Sequence, residues 1–539
     1  MTLRLAALAL VSCGVAATAA GQSLLDAAED GNHDAALAAL KAGGDVNARG
    51  PDGATALIWA AYNGDADLAK RLLAAGADAN AKNEFGSFAL AEAAIGGYTD
   101  VVTALLKGGA DANLANNEGE TPLMEVARTG NVAAATLLLD AGADVNAIEL
   151  WGDQSPLMWA AAQKQPAMIK LLVSRGADVD ARGAVRNWER KVIREPRPKD
   201  MNQGGFTPLL YAAREGCIEC AKELVAGGAD LDLPDPHRVT PLVMALMNLH
   251  FDFAEYLIEA GADVNKWDLY GRSPLYMAAD TSTLPVMGNG SMVVLPSTDK
   301  LKALDVARVL LDKGANVNAQ LKRRPPYRNV PQDRGGDSIL SQGATALLRA
   351  ARAGDTPMVD LLLEHGALVD LPSNQGVTPL MAAAGVEFGT RVTRGRNRTN
   401  DGVLATMKLL LDAGADINAR MVTDSARPAE YSASANAAAR AGRGGRASQV
   451  PTARAVPHQT ALHGAAERGY TPIVKFLVEN GADLNAKDGN GRTALDLAKG
   501  IGVPGVKQAQ GEGFPETVAA IESLQAAKKG TPVAEATSK

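Results

Sequence analysis

Residues Glu120 to Gly152 read ETPLMEVARTGNVAAATLLLDAGADVNAIELWG. Thr121 has a side chain that can cap a helix N-terminus, and Pro122 suits the first helical position, where a missing N–H loses no hydrogen bond. The apolar residues that follow lie at helical spacing until Gly130, which predicts a short first helix and a tight turn. Val132 to Asp140 predicts a second helix with an apolar, leucine-rich face.

The last part of this stretch predicts a return turn. Gly142 suits the left-handed residue that follows a helix C-terminus, because glycine has no Cβ to clash there. Asp144 and Asn146 are turn-forming residues, and Gly152 is typical of the end of a β-turn. The stretch therefore predicts a helix, a turn, a second helix and a turn that leads the chain to the next helix start.

This pattern repeats along nearly the whole chain. The glycine after the second helix recurs as Gly43, Gly76, Gly109, Gly142, Gly176, Gly228, Gly261, Gly314, Gly366, Gly414 and Gly481. The first three steps between these glycines are 33 residues each. A fixed period of this length indicates a stack of repeats rather than several globular domains.

The helix starts identify the kind of repeat. Thr121-Pro122-Leu123 recurs as Thr207-Pro208-Leu209, Thr240-Pro241-Leu242 and Thr378-Pro379-Leu380. With these motifs, the chain resembles an ankyrin-repeat protein over roughly Gln22 to Gly500. The resemblance implies an all-α solenoid of stacked helix-turn-helix repeats with β-turn fingers. It also implies a non-enzymatic scaffold that binds another protein through its concave face and β-turn tips.

The spacing of the repeats predicts the domain organisation. We expect the solenoid over residues 22–527 and a flexible tail over residues 528–539. Wherever the spacing exceeds the regular period, extra residues must lie in a turn. The predicted insertions are residues 183–204, 281–298, 321–342, 386–402 and 421–457.

Residues 1–21 resemble a secretory signal. Arg4 precedes an apolar run from Leu5 to Val11, and small residues continue to Ala20. We therefore expect an exported protein, periplasmic or extracellular, with cleavage before about Gln22. The alternative is a lipid anchor at Cys13, because the residues before it resemble a lipoprotein signal. No other segment is long and apolar enough to predict a transmembrane helix.

Charge separates the insertions from the repeats. The full chain has a formal charge of −7, yet residues 182–200, 321–342, 386–402 and 421–457 together carry +12, which leaves about −20 on the rest of the mature chain. Basic loops of this kind can fold back onto the acidic repeats, or can bind an acidic surface. The alternative function is therefore an envelope-associated binder of anionic lipid or glycan. We expect no nucleic-acid partner for an exported, acidic chain.

The chemistry-bearing residues do not form a catalytic pattern. None of the six histidines belongs to a metal-binding or nucleophile motif, and the aspartates recur at a turn position. We therefore expect no enzyme activity, metal or cofactor. Cys217 and Cys220 are compatible with two small buried residues, a local disulfide or a redox pair, and the sequence leaves these three possibilities open.

Partner-binding residues follow from the resemblance. Ankyrin-family partners usually contact the β-turn tips and the exposed end of the first helix, and aromatic and arginine side chains dominate interface energies. Trp59 and Trp159 are expected to pack in the core instead. The predicted partner-binding residues are Tyr62, Phe85, Arg128, Trp151, Arg214, Tyr270 and Arg352.

Overall fold

The structure is a computed structural model, and it describes residues 22–189, 200–283, 297–323, 325, 339–340, 342–386, 399–422, 457–501 and 513–528. The predicted signal segment at residues 1–21 lies outside these ranges. So do residues 529–539 of the predicted tail and most of the five predicted insertions. The predictions for these segments stay predictions.

The chain divides after Ala184 into two compact units. The first unit contains five helix pairs. Its helices are α1 Leu24–Glu29, α2 His33–Lys41, α3 Ala56–Tyr62, α4 Ala66–Ala74, α5 Ala89–Gly96, α6 Thr99–Lys107, α7 Pro122–Thr129, α8 Val132–Asp140, α9 Pro156–Ala162 and α10 Pro166–Ser174.

The second unit begins with two short strands, β1 Val185–Glu189 and β2 Asp200–Gly204, and continues with helices alone within the described residues. These helices are α11 Pro208–Glu215, α12 Ile218–Ala226, α13 Pro241–Met247, α14 Phe251–Glu259, α15 Pro274–Ser282, α16 Ala303–Asp312, α17 Ala346–Ala353, α18 Thr356–Glu364, α19 Pro379–Ala384, α20 Asn400–Asp412, α21 Ala461–Ala466, α22 Thr471–Glu479, α23 Ala494–Ala498 and α24 Pro515–Lys528.

Within each unit the first helices of successive repeats form one layer and the second helices form another. In the first unit, α3 contacts α1 and α5, while α4 contacts α2 and α6. Leucines at the second position of the first helices, such as Leu57, Leu90 and Leu123, are at most 1% exposed. Their burial between the layers stabilises the stack, because each repeat alone cannot cover its apolar face. The predicted all-α, stacked helix-turn-helix fold is confirmed.

Most threonines at the helix starts cap the first helices as predicted, although Thr121 and Thr460 make no capping hydrogen bond from their side chains. Thr207 Oγ1 accepts a hydrogen bond from the Leu210 N–H at 3.2 Å, and Thr240 and Thr378 cap their helices in the same way. Thr121 does not, although its repeat shows the motif most completely. Its hydroxyl oxygen is buried without a partner in the described structure, and the Met124 sulfur lies 3.5 Å from the Thr121 nitrogen instead.

Asparagines in the return turns connect each repeat to the next. Asn80 Nδ2 donates to the Gly109 carbonyl at 3.3 Å, and Asn80 Oδ1 accepts from the Asp111 N–H at 2.8 Å. Asn113 and Asn146 repeat the same pair of bonds one and two repeats further on. We call this series of hydrogen bonds the turn ladder. It satisfies turn backbone groups that would otherwise depend on water.

The described parts of the insertions refine the predicted boundaries. Residues 183–204 contain the antiparallel pair β1 and β2, with Val185 opposite Gly204, which the sequence analysis did not predict. The 281–298 insertion begins later, because Thr281 and Ser282 continue α15. The 386–402 insertion ends earlier, because α20 begins at Asn400. Within the described residues, no helix has the length and apolar character to cross a bilayer.

Candidate protein-binding surface

From α3 to α9, one position on the first helices of the first unit carries a tryptophan or a glutamate; three of these side chains are half-buried and Glu125 is buried. The fourth residue of α3, α5, α7 and α9 is Trp59, Glu92, Glu125 and Trp159 in turn. Because each of these helices packs against the next, the four side chains lie side by side across the unit. We call this surface the inner-helix face.

Aromatic side chains lie at the α3 end of the inner-helix face. Trp59 is half-buried, and its ring contacts the Tyr62 ring edge-on, with centroids 5.7 Å apart. Tyr62 is 54% exposed and Ile95, one turn after Glu92, is 44% exposed. Large apolar groups in water have an unfavourable hydration free energy, and a contiguous group of them marks an interaction surface.

The β-turn tips of the same unit also expose large apolar side chains. Phe85 is 70% exposed and Trp151 is 65% exposed. Hydrogen bonds tie consecutive tips together, as between the Glu84 N–H and the Asp52 carbonyl at 2.8 Å. The tips directly precede the first helices, so they extend the inner-helix face rather than forming a separate surface.

A buried carboxylate shapes the tip that carries Trp151. Glu149 is 6% exposed, and its side-chain oxygens accept hydrogen bonds from the backbone N–H groups of Trp151 at 2.6 Å and Gly152 at 2.7 Å. Hydrogen bonds to a charged acceptor are stronger than neutral ones. Glu149 therefore fixes the backbone of this tip and the direction in which Trp151 projects.

Two of the predicted partner-binding arginines, Arg128 and Arg214, contact other side chains of the same chain. Arg128 is half-buried and forms an ion pair with Glu125, with Nη2 2.7 Å from Oε2. Arg214 in the second unit is exposed, and its guanidinium lies 5.0 Å from the Tyr211 ring centroid and 5.9 Å from that of Phe206. Both arginines are therefore already engaged by neighbouring side chains.

The prediction that Arg352 is an exposed contact was wrong. Its side chain is 1% exposed, and Nη1 donates to the Val386 carbonyl at 2.8 Å. Val386 lies two residues after the end of α19, at the start of a predicted insertion, and its carbonyl binds the Arg352 guanidinium at the end of α17. Tyr270 is half-buried rather than exposed. The Arg272 guanidinium lies 5.4 Å from the Tyr270 ring centroid. The Tyr270 carbonyl accepts a hydrogen bond from the Lys322 N–H at 2.9 Å.

Trp59 and Trp159 were predicted to pack in the core; both are half-buried, and the indole nitrogen of Trp159 is buried. A comparison of the same position in successive repeats indicates this placement. The same position carries Glu92 and Glu125 in the two intervening repeats, and charged residues at one position indicate that it is not an apolar core position. Glu92 is half-buried, and Glu125 is buried in its ion pair with Arg128. Met124, Met158, Met244 and Met277, which lie at neighbouring positions of the first helices, are all buried.

The first unit is strongly acidic. Residues 22–184 contain 11 lysines and arginines against 22 aspartates and glutamates, a net charge of −11. Burial raises the pKa of Glu120; the Asn116 side-chain hydrogen bond opposes this shift, and Glu125, Glu118 and Glu149 add to it. The inner-helix face and its tips therefore lie in a negative potential.

The two cysteines of the second unit form a disulfide in the structure, with the sulfur atoms 1.98 Å apart. Cys217 caps α12, and Cys220 in its first turn is fully buried. Within the described residues, no three histidine, cysteine, aspartate or glutamate side chains are grouped to hold a metal ion.

A family model described as ankyrin repeats (three copies) matches residues 24–116, 90–183, 209–287 and 328–421, and one described as ankyrin repeats (many copies) matches residues 454–498. These matches cover more than half of the chain, which therefore belongs to the ankyrin-repeat family. Ankyrin repeats indicate a scaffold for protein–protein interaction, and the fold is typical of non-enzymatic binding proteins.

Two individual proteins are similar over parts of the chain. The ankyrin repeat and KH domain-containing protein mask of Drosophila melanogaster is 28% identical over 151 residues, which are 28% of this chain and 3% of that protein. The human ASB11 ankyrin repeat domain is 23% identical, with a TM-score of 0.37, over 45% of this chain and 99% of that domain. The chain thus spans only a small part of its curated relative's length.

Proposed function

We propose that this chain is a non-enzymatic scaffold that binds a partner protein through the inner-helix face and β-turn tips of its first unit. One observation carries the proposal: Tyr62, whose ring contacts the half-buried Trp59, and Phe85 at the following β-turn tip are 54% and 70% exposed. Aromatic side chains with this exposure are the residues that dominate binding energy at interfaces.

The side chains on this surface support binding rather than catalysis. They are aromatic, aliphatic and carboxylate groups, whereas covalent or acid–base catalysis needs a nucleophile or base held by a partner. The surface also extends over several repeats, as an extended protein partner requires.

We also propose that the protein works outside the cytoplasm, in the periplasm or the extracellular space. The signal-like residues 1–21 support this proposal, and the Cys217–Cys220 disulfide suits an oxidising compartment. Cell fractionation followed by mass spectrometry of the mature N-terminus tests it. A mature chain that begins near Gln22, or at a lipid-modified Cys13, supports export, whereas an uncleaved chain in the cytoplasm contradicts it.

Affinity capture tests the binding function. The full-length protein and a Tyr62→Ser/Phe85→Ser variant serve as baits in an extract of the host envelope. The matched control is Leu368→Ser/Val422→Ser, because these second-unit side chains are 57% and 65% exposed. We expect the control to recover a stoichiometric partner as the wild type does, and the face variant to recover about tenfold less. Equal recovery by both variants would reject this surface as the binding site.

A further inference from the structure

Three aromatic rings of the second unit differ from the rings of Trp59, Tyr62 and Phe85 in the basic side chains beside them; of the three, Trp267 is exposed, Tyr270 half-buried and Tyr211 buried. In the second unit a basic side chain of the same chain lies over each of three rings. Arg214 lies 5.0 Å from the Tyr211 centroid, Arg238 lies 5.2 Å from that of Trp267, and Arg272 lies 5.4 Å from that of Tyr270. These distances are typical of cation–π interactions.

In the first unit, the described structure places no lysine or arginine over the rings of Trp59, Tyr62 or Phe85. Acidic side chains adjoin these rings in sequence and in the stack. Glu84 is exposed beside Phe85, and Glu92 is half-buried at the position next to Trp59. Among the described residues neither carboxylate forms an ion pair.

Two cations of the same repeats, Arg49 and Lys82, bind backbone carbonyls. Arg49 donates to the Lys82 carbonyl at 2.8 Å and to the Gly53 carbonyl at 3.3 Å, while the Lys82 ammonium donates to the Ala115 carbonyl. The surface formed by Trp59, Tyr62, Glu84, Phe85 and Glu92, which we call the acidic–aromatic patch, therefore presents electron-rich ring faces and two carboxylates without their own cation.

We propose that the acidic–aromatic patch binds an extended, arginine-rich segment of the partner protein. A guanidinium stacks on an aromatic ring and pairs with a carboxylate at the same time, which a lysine ammonium does less well. The net charge of −11 on residues 22–184 adds long-range attraction for a basic segment. The inference rests on the proposed function and specifies the partner's chemistry at the same surface.

The helix geometry also sets the spacing of the arginines. Packed helices lie about 8–10 Å apart, and an extended chain in the polyproline II conformation advances about 3.1 Å per residue with three residues per turn. Side chains three residues apart therefore share a face and are about 9 Å apart, so one arginine can be directed at α3 and the next at α5. This spacing defines the probe: a synthetic peptide with arginine at every third position and leucine and serine between.

The test measures binding of this peptide to the full-length protein by fluorescence anisotropy. A twin peptide carries citrulline, the uncharged isostere, in place of every arginine. We expect the arginine peptide to bind at least about tenfold more tightly than the citrulline twin, with an affinity that falls as salt rises.

Variants localise the binding. Glu84→Gln/Glu92→Gln and Trp59→Leu are each expected to weaken the arginine peptide about fivefold to tenfold. The control Asp34→Asn/Asp100→Asn removes the same two charges from exposed positions in the first turns of α2 and α6 and is expected to weaken binding less than twofold. Circular dichroism confirms that each variant is folded.

The outcomes separate this inference from the proposed function. Equal affinity for the two peptides, no binding of either, or an equal effect of the patch and control variants overturns the arginine-rich partner. If the captured partner still depends on Tyr62 and Phe85 in that case, the binding function stands with a different partner chemistry. If the capture experiment shows equal recovery by the face variant and its control, the proposed binding site itself is rejected.

Discussion

The second unit contains a buried ion pair, Arg349 and Asp280, which is not part of the repeat motif. Arg349, on α17, is 0% exposed and its Nε lies 2.7 Å from Asp280 Oδ1 on α15. Its Nη1 atom has no hydrogen-bond partner in the described structure. Desolvating both charges offsets much of their attraction, so this pair contributes less to net stability than the loss of one partner would suggest.

This asymmetry predicts the behaviour of two variants. Arg349→Met removes the ion-pair partner of the buried Asp280 and is expected to lower the free energy of unfolding by about 3–5 kcal/mol. Arg349→Met/Asp280→Leu replaces both charges with apolar groups and is expected to be at least about 2 kcal/mol more stable than the single variant. Urea unfolding followed by circular dichroism measures both. Equal destabilisation by the two variants would contradict the argument.

The pKa values of two histidines are shifted in opposite directions from the ordinary value. The pKa of His33 is raised above 6.5, first by its hydrogen bond to Asp65, with Nδ1 2.6 Å from Oδ2. The pKa of His463 is lowered below 6.5 because burial disfavours its charged form. The His33 contribution to stability is therefore present below pH 6.5 and is lost as the pH rises through the folded-state pKa.

NMR titration of the imidazole protons checks this prediction. We expect the His33 midpoint above pH 6.5 and the His463 midpoint below it. Asp65→Asn keeps an oxygen that can cap α4 but removes the negative charge, so it is expected to lower the His33 pKa and leave that of His463 unchanged. A His33 midpoint that Asp65→Asn does not lower would show that the carboxylate is not the cause.

At the scale of elements, α5 differs from the other first helices because Phe88 stands at the usual capping position. Phe88 makes no capping hydrogen bond, yet its ring is 0% exposed. A capping bond is worth about 1 kcal/mol, whereas removing a buried phenylalanine side chain lowers stability by about 3–5 kcal/mol. Packing therefore outweighs capping at this helix.

The same magnitudes predict the effect of restoring the motif. Phe88→Thr is expected to lower the free energy of unfolding by about 2–4 kcal/mol, although it creates a consensus cap. Thr207→Ala, which only removes the cap of α11, is expected to lower it by about 1 kcal/mol. Thermal and urea unfolding compare the two variants. A Phe88→Thr variant as stable as the wild type would show that the cap compensates for the lost packing.

At the scale of the whole molecule, the turn ladder recurs in both units, but Asp232 and Asp370 stand at equivalent positions of the second unit and have no amide to donate. In the second unit, Asn265 and Asn318 donate to the carbonyls of Gly314 and Gly366. Asp370 takes the next equivalent position, and one of its oxygens accepts from the Asp416 N–H at 2.9 Å. Its other oxygen is buried with no hydrogen-bond partner in the described structure.

Completing the ladder should stabilise the second unit. Asp370→Asn keeps the acceptor and replaces the unpaired oxygen with an amide donor, which we expect to donate to the Gly414 carbonyl as Asn318 donates to that of Gly366. We expect the free energy of unfolding to rise by about 1 kcal/mol. Asn318→Asp, which breaks a complete step, is expected to lower it by a similar amount. Chemical unfolding measures both changes, and a loss of stability in Asp370→Asn would contradict this view of the ladder.

The candidate surface was only partly predictable from particular residues. Tyr62, Phe85 and Trp151 were expected to be exposed from their repeat positions, and they are. Arg352 occupies a repeat position like that of Arg214, yet it is buried, and its guanidinium donates to the carbonyl of Val386 after α19. Trp59 and Trp159 have the apolar character of core residues, and only the stacking of their helices against those that carry Glu92 and Glu125 places them on a face.

The sequence by itself determined the repeat. Helix starts, turn glycines and the 33-residue step depend on backbone preferences within a few residues, and these are local. The tertiary structure alone decided which repeat positions remain exposed, where β1 and β2 pair, and how Arg349 and Arg352 are buried. These features depend on contacts between residues tens of positions apart, and a departure from the repeat changes those contacts without changing the local motif.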